Sequence, residues 1–226
     1  MIDLNIFNDL YGLEIGGPSK SLYDLGIYHH ISKLDGFNIF ENNYWQHNFS
    51  SQYTLPNHWK IENKIFGKQY NIDISEYFNI NKNYDFIISS DVIEHFANPI
   101  KNIFNMKKYL VNNKSFIFSI IPNYEKTFDR KRKLTPLDHI IEDYISNVDE
   151  SDITHIQDQL ENFDESWGGN KIDLIANAER NFETRVVHHH TYNDENIFGM
   201  FDYCGFNSII TNSNHNYLVL STLKNK

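Results

Sequence analysis

Two stretches of this chain leave little choice of fold class: residues 84–90 (YDFIISS) and 115–121 (SFIFSII) are short and almost unbroken apolar runs. A strand with one face in water alternates polar and apolar residues, whereas a strand covered on both faces is apolar at successive positions, as in parallel sheets flanked by helices. Between the runs, residues 99–110 place Ile100, Ile103, Phe104, Met106, Tyr109 and Leu110 at roughly helical spacing, behind a proline suited to a first helical turn. Strand, helix and strand in that order predict a crossover unit of an α/β fold. Pro122 follows the second run and, lacking an N–H, cannot readily extend a central strand.

The same alternation is visible on either side. Residues 11–15 are a short apolar segment that stops abruptly at Gly16-Gly17-Pro18-Ser19, the pattern of a buried strand running into a tight loop. Weaker strand signals lie at 37–40, ending at Glu41, and at 70–74, ending near Asp73, with irregular sequence between them. From 123 to 190 the chain is polar and rich in acids and histidines, with helices expected at 137–145 and 153–163. It reads as a substrate-side insert in one domain spanning 1–226. Residues 193–203 then predict a helix, with acids ahead of its apolar face and Gly205 behind it. Strands at 206–211 and 217–222 close the chain, so the expected sheet is mostly parallel with an antiparallel terminal element.

Charge and composition remove several function classes. A net charge of −10 argues against a nucleic-acid polymer as partner, because such binding draws on clustered Lys and Arg. The concentrated basic run, Arg130-Lys131-Arg132-Lys133, is either a solvated face or, with Asp129, a rim that meets a small anionic substrate. No leader and no apolar run of membrane-spanning length is expected, and a lone Cys204 cannot form an intramolecular disulfide. These features predict a cytoplasmic protein. They leave the oligomeric state open.

The loop LEIGGPS at 13–19 brings glycines and Glu14 to a strand end, where backbone can approach a ligand closely. It is neither G-x-G-x-x-G nor the phosphate loop G-x-x-x-x-G-K-S/T, so nicotinamide and nucleoside-triphosphate readings lose their best support. Other positions agree with a cofactor site: Glu41 and Asp73 at two strand ends, then Ser90-Asp91-Val92-Ile93-Glu94-His95 after the fourth. Glu94 and His95 either cap a helix or touch substrate. These residues resemble the class I S-adenosylmethionine-dependent methyltransferases, which often have an E-x-G-x-G-like first motif and a V-x-E-H segment after strand four. PNYEKTFDRKRKLTPLDHIIEDY, DITHI and NFETRVVHHHTYN are similar to a bacterial subgroup associated with cell-surface polysaccharide biosynthesis. The resemblance implies a Rossmann-like fold and S-adenosylmethionine as cofactor. Glu14, Gly16 and Gly17 would then surround its methionyl portion, Glu41 the ribose, Asp73 and Ile74 the adenine, with Ser90 and Asp91 lining the pocket. The implied reaction is O- or N-methyl transfer to a small, sugar- or nucleotide-linked acceptor.

Five of the eleven histidines fall between 139 and 190. On a helix over 137–145, His139, Glu142 and Asp143 share one face. With His155 and the run His188-His189-His190 they read in three ways: as structural groups, as acid–base or substrate-binding groups, or as a metal centre. His139, His155, His188 and His189 are the catalytic candidates, and His95, Asp129, Arg130 and Arg132 the acceptor-binding ones. Neighbours on a strand point to opposite faces, so the three consecutive histidines are not expected to meet one ligand. Two other functions compete: a noncatalytic donor-binding regulator or assembly partner, and a metal-assisted enzyme centred on the insert.

Overall fold

A computed structural model describes residues 2–39, 54–55, 58–61 and 64–224. Strand β1 (Tyr11–Ile15) pairs in parallel with β2 (Lys33–Asn38) on one side and with β7 (Phe86–Ser90) on the other. Beyond β2 lies β6 (Gln69–Asn71), and beyond β7 lies β8 (Phe116–Pro122), both parallel to their neighbours. The chain closes with β9 (Phe206–Ser213) and β10 (Asn216–Leu223), giving a seven-stranded sheet in the order β6-β2-β1-β7-β8-β10-β9 among the described residues. β10 is antiparallel to both neighbours and fills the place between β8 and β9, so the antiparallel strand lies one in from the edge.

The two apolar runs are as deeply covered as their composition requires. Every residue of β7 and β8 is buried, and successive side chains divide between two cores. Ile87, Ile117 and Ile121 pack with helix α3 (Pro99–Lys108) and helix α8 (Asp194–Tyr203), through Ile100, Ile103, Met106, Ile197, Met200 and Phe201. Phe86, Ile88, Phe116, Phe118 and Ile120 face the other way, onto Phe7, Leu22, Ile27 and Trp59. α3 begins where Asn98 accepts a hydrogen bond from Lys101 N (3.0 Å) with Pro99 in the first turn. α8 begins with a reciprocal cap between Asn193 and Asn196.

Two parts of this face differ from expectation. β2 starts at Lys33 rather than 37, because its first half carries Asp35 and Gly36 at positions where an apolar pattern would be sought. Asp35 is buried and accepts bonds from Lys82 Nζ (2.7 Å), Lys68 N (2.8 Å), Tyr84 Oη (3.0 Å) and Tyr11 Oη. Among the described residues of the segment read as irregular, β3 (Thr54–Leu55), β4 (His58–Ile61) and β5 (Lys64–Gly67) form a small antiparallel sheet. Its Trp59 is fully buried against Tyr28 and Phe66, directly over Gly36, where any larger residue would collide with the indole.

Between β8 and α8 the chain builds a helical layer. It comprises α4 (Leu137–Ile145), α5 (Ile153–Asn162), α6 (Lys171–Ala178) and α7 (Asn181–Thr184), joined to α8 by an extended segment. On the amino-terminal side, α1 (Lys20–Asp24) and α2 (Ile27–His30) link β1 to β2. Phe163, Leu174, Ala178, Val186 and Val187 give the layer its own small core. No helix of the described residues is long and apolar enough to cross a membrane.

Candidate active site

From β1 the chain moves outward to β2 and β6, then returns to the opposite side of β1 at β7. In open α/β sheets this reversal opens a crevice at the carboxyl ends of the strands. A cavity of about 300 Å³ occupies that place, walled by Ile15 and Gly16 at the end of β1, Phe37 and Asn38 of β2, Ile72, Asp73 and Ile74 after β6, and Ser90 and Asp91 at the end of β7. Of the cofactor residues expected from sequence, it gathers Gly16, Asp73, Ile74, Ser90 and Asp91. Glu41 lies outside the described residues.

Glu14 and Gly17 are beneath this surface rather than on it. Gly16 has φ +78° and its amide donates to Phe37 O (3.0 Å), turning the chain tightly off the strand. A Cβ on Gly17 would overlap the Glu14 carboxylate, so the second glycine makes room for a buried acid. Glu14 is fully buried and accepts a bond from Tyr28 Oη (2.8 Å), while Ser19 N donates to that same hydroxyl (2.8 Å). Burial raises its carboxyl from 4.5 to about 8, more than the Tyr28 hydrogen bond lowers it. It is a neutral acid under the loop at neutral pH.

Asp73 is committed to Arg185, whose Nη2 donates to Asp73 Oδ2 at 2.5 Å while Nη1 meets Glu150 Oε1 at 2.5 Å. Arg185 lines the cavity from the helical layer, in the left-handed region at φ +53°. Nothing in the sequence singled it out, since its partner is 112 positions away. Asp91, also left-handed at φ +54°, accepts from Ser90 Oγ (2.6 Å) and Ser21 Oγ (3.3 Å).

A second cavity, about 390 Å³, adjoins the first and shares Asp91 and His95 with it. Its wall includes Glu94, Thr127, Phe128, Gln159, Phe163, Asp173, His188 and Asn216, with no Lys or Arg among the lining residues. His188 Nδ1 lies 2.5 Å from Asp129 Oδ2, and His95 packs edge-on against the His188 ring at 4.6 Å. Against the upward push of burial, His188 and Arg132 hold the Asp129 carboxyl below its usual range. Burial, with Asp91 and Asp129 adding to it, pushes the Glu94 carboxyl well above its usual range. Burial, then the neighbouring His188, takes His95 well below the ordinary histidine value.

The remaining sequence candidates take other places. Arg132 is buried, and its guanidinium donates to Asp158 Oδ2 (2.7 Å), Asp129 Oδ1 (3.1 Å), His188 O (2.7 Å) and His189 O (3.0 Å). With its donors consumed inside the protein it is a clamp, not a docking group. Arg130 is half-exposed near Asp164 and over the Trp167 ring, and lines neither cavity. His139, His155 and His189 also line neither: His139 Nε2 is 3.0 Å from His155 Nε2, and His155 Nδ1 is 3.1 Å from His189 Nδ1. Of the four catalytic candidates only His188 borders either of these two cavities, because the side chains of 188 and 189 make their contacts on different sides of the extended segment.

No family model matches this sequence, and no curated protein is significantly similar to it. Solved structures do match the fold. The plantazolicin methyltransferase BpumL, in complex with a monoazolic desmethylPZN analog and SAH, has a TM-score of 0.53 at 13% identity, covering 96% of this chain and 77% of its own. Human N-acetylserotonin methyltransferase in complex with SAM gives 0.52 at 12% identity, covering 99% and 50%. The CurJ carbon methyltransferase gives 0.52 at 10%, covering 97% and 50%. The chain thus spans about half the length of the latter two. What it shares with all three is architecture, and that architecture is the Rossmann-like class I methyltransferase fold.

Proposed function

We propose that this chain is an S-adenosylmethionine-dependent methyltransferase that holds its donor in the first cavity and its acceptor in the second. The observation that carries this reading is the meeting of the two cavities at Asp91 and His95, at the carboxyl edge of the sheet where its order reverses. The first cavity suits the donor: a glycine turn allows close backbone approach, Phe37, Ile72 and Ile74 offer apolar walls, and Asn38, Ser90 and Asp91 offer polar groups. Gly16 and Asp91 would hold the methionyl end, Asn38 and Glu41 the ribose, and Ile74 with its apolar neighbours the adenine. Asp73 would act through its pair with Arg185. The donor supplies an activated methyl group on sulfonium, so the protein's task is alignment, exclusion of water and removal of a proton.

His188 is the group best suited to that last task. Asp129 takes the Nδ1–H and fixes the tautomer, which leaves Nε2 as the nitrogen that accepts a proton from an acceptor hydroxyl or amine. The lining of the second cavity directs the acceptor's chemistry. Acids, amides and the stacked pair Phe128–Phe163 favour a neutral polyhydroxylated molecule or an amine over the anionic one expected from the basic run. A sugar-bearing intermediate of surface-polysaccharide synthesis in the cytoplasm fits that lining. The test is titration with S-adenosylhomocysteine followed by labelled-methyl transfer to panels of sugar hydroxyls and amines. Micromolar product binding with transfer to a neutral acceptor is expected. Absence of product binding by the folded chain would overturn the reading, and binding without transfer to any acceptor would favour a regulator.

A further inference from the structure

Away from both cavities, the helical layer draws four ligating groups into one nest: His139 and Asp143 one turn apart on α4, His155 on α5, and His190 on the extended segment. His139 Nε2 is 3.0 Å from His155 Nε2 and 3.4 Å from Asp143 Oδ2. Asp143 Oδ2 is 3.6 Å from His155 Nε2 and 2.9 Å from His190 Nε2. Four ligands at tetrahedral zinc distances stand about 3.3 Å from one another. The four separations given bracket that figure and all six lie within 4.8 Å, so the nest is close to the dimensions of a first coordination sphere.

The hydrogen bonding of His190 gives an independent reason for a cation. Its Nδ1 faces the Phe96 carbonyl at 3.2 Å and its Nε2 faces Asp143 Oδ2 at 2.9 Å, so both ring nitrogens meet acceptors. A neutral imidazole has one N–H to give. The ring is 1% exposed, so both contacts lie inside the protein. With its proton donated to Phe96, the Nε2 lone pair confronts a carboxylate, and a metal ion between the two turns that repulsion into two bonds. An outer hydrogen bond from Nδ1 to a backbone carbonyl is the usual support of a ligating histidine.

We infer that His139, Asp143, His155 and His190 form a tetrahedral site for a divalent transition metal, zinc being its natural probe. The site ties α4, α5 and the segment carrying His188 together, and its role is structural, since it lines neither cavity. Loading moves the His155 ring proton to Nδ1, toward His189, against the tautomer that the Asn181 amide favours at His189 Nε2 (2.9 Å). Four coordinate bonds outweigh that adjustment. The inference does not rest on the methyltransferase reading.

The test is zinc titration of the full chain after chelator dialysis, with cobalt substitution as the spectroscopic readout. One zinc per chain, a rise in melting temperature and the intense visible bands of tetrahedral cobalt are expected. His139→Ala removes the most exposed ligand, with 43% of its side chain accessible, and should fold while losing at least tenfold in zinc affinity. Asp143→Asn should lose at least as much. His188→Gln should bind zinc as the wild type does, separating this nest from the group formed by Glu94, His95 and His188. Failure of the folded wild type to bind zinc, or unchanged affinity in His139→Ala, overturns the site and leaves an imidazolium–carboxylate network. Binding lost in His188→Gln alone moves the metal to the other group and also overturns it.

Discussion

Replacing Glu14 with Gln should stabilise the protein, and by an amount that grows with pH. The native carboxyl is fully buried with a pKa raised from 4.5 to about 8, whereas in the unfolded chain it titrates near its ordinary value. Between those values the native state keeps a proton that the unfolded state releases, so stability falls as pH rises. The slope is about 1.4 kcal/mol per pH unit. From 4.5 to pH 7 the accumulated cost is about 3 kcal/mol, large beside the roughly 5–15 kcal/mol that holds a domain folded. Gln keeps an oxygen for the Tyr28 hydroxyl and carries no charge to desolvate. Urea denaturation of both proteins at pH 5, 6, 7 and 8 measures the effect. The difference should widen by about 1 kcal/mol or more per unit until it levels off near pH 8. A difference that stays constant over this range would refute the reasoning, because it would mean that Glu14 is ionised in the folded protein or has reached water.

Gly17→Val forces a branched side chain onto the Glu14 carboxylate, so it should cost about 1–3 kcal/mol in stability as well as weaken S-adenosylhomocysteine binding. Thermal melts with and without product measure both, and an unperturbed melt would show that the acid is free to move. His188→Gln should reduce turnover about 100-fold or more while product affinity, measured by calorimetry, changes less than threefold. Equal losses in both would assign His188 to structure. Arg132→Ala strips a buried carboxylate of its partner and should cost about 3–5 kcal/mol, whereas Arg130→Ala should stay within about 0.5 kcal/mol. Equivalent denaturation midpoints for the two variants would contradict the clamp.

The strands that were easiest to read are those whose burial is complete on both faces, because β7 and β8 are apolar apart from small buried serines, two of which, Ser89 and Ser119, bond to each other. The starts of α3 and α8 were legible because a first-turn proline and leading acids are local signals, while the asparagine caps at 98 and 193 emerge only in the structure. β2 was misplaced because Asp35 is buried through partners at 11, 68, 82 and 84, which no local pattern displays. In the candidate site, the glycine turn and Ser90-Asp91 announced themselves at strand ends. Arg185 did not, and the functions of Arg130 and Arg132 were confused by adjacency: one side chain points to solvent and its near neighbour into the protein. The histidines were correctly seen as a concentration. Their division between a cavity wall and an interior nest depends on the path of residues 186–192 across two helices.

The placement of β10 dictates an order of assembly. β9 emerges from the ribosome first, yet its pairing partner in the sheet is β10, which follows it. Until residues 216–223 are free, the mostly apolar strand β8 presents an unsatisfied row of amides and carbonyls, a template for pairing with another chain. Translation therefore passes through a stage in which five parallel strands are available and the sheet is still open on the β8 side. Sealing it is a single event, the closure of one eight-residue strand, so the nascent chain is most exposed to mispairing just before that closure.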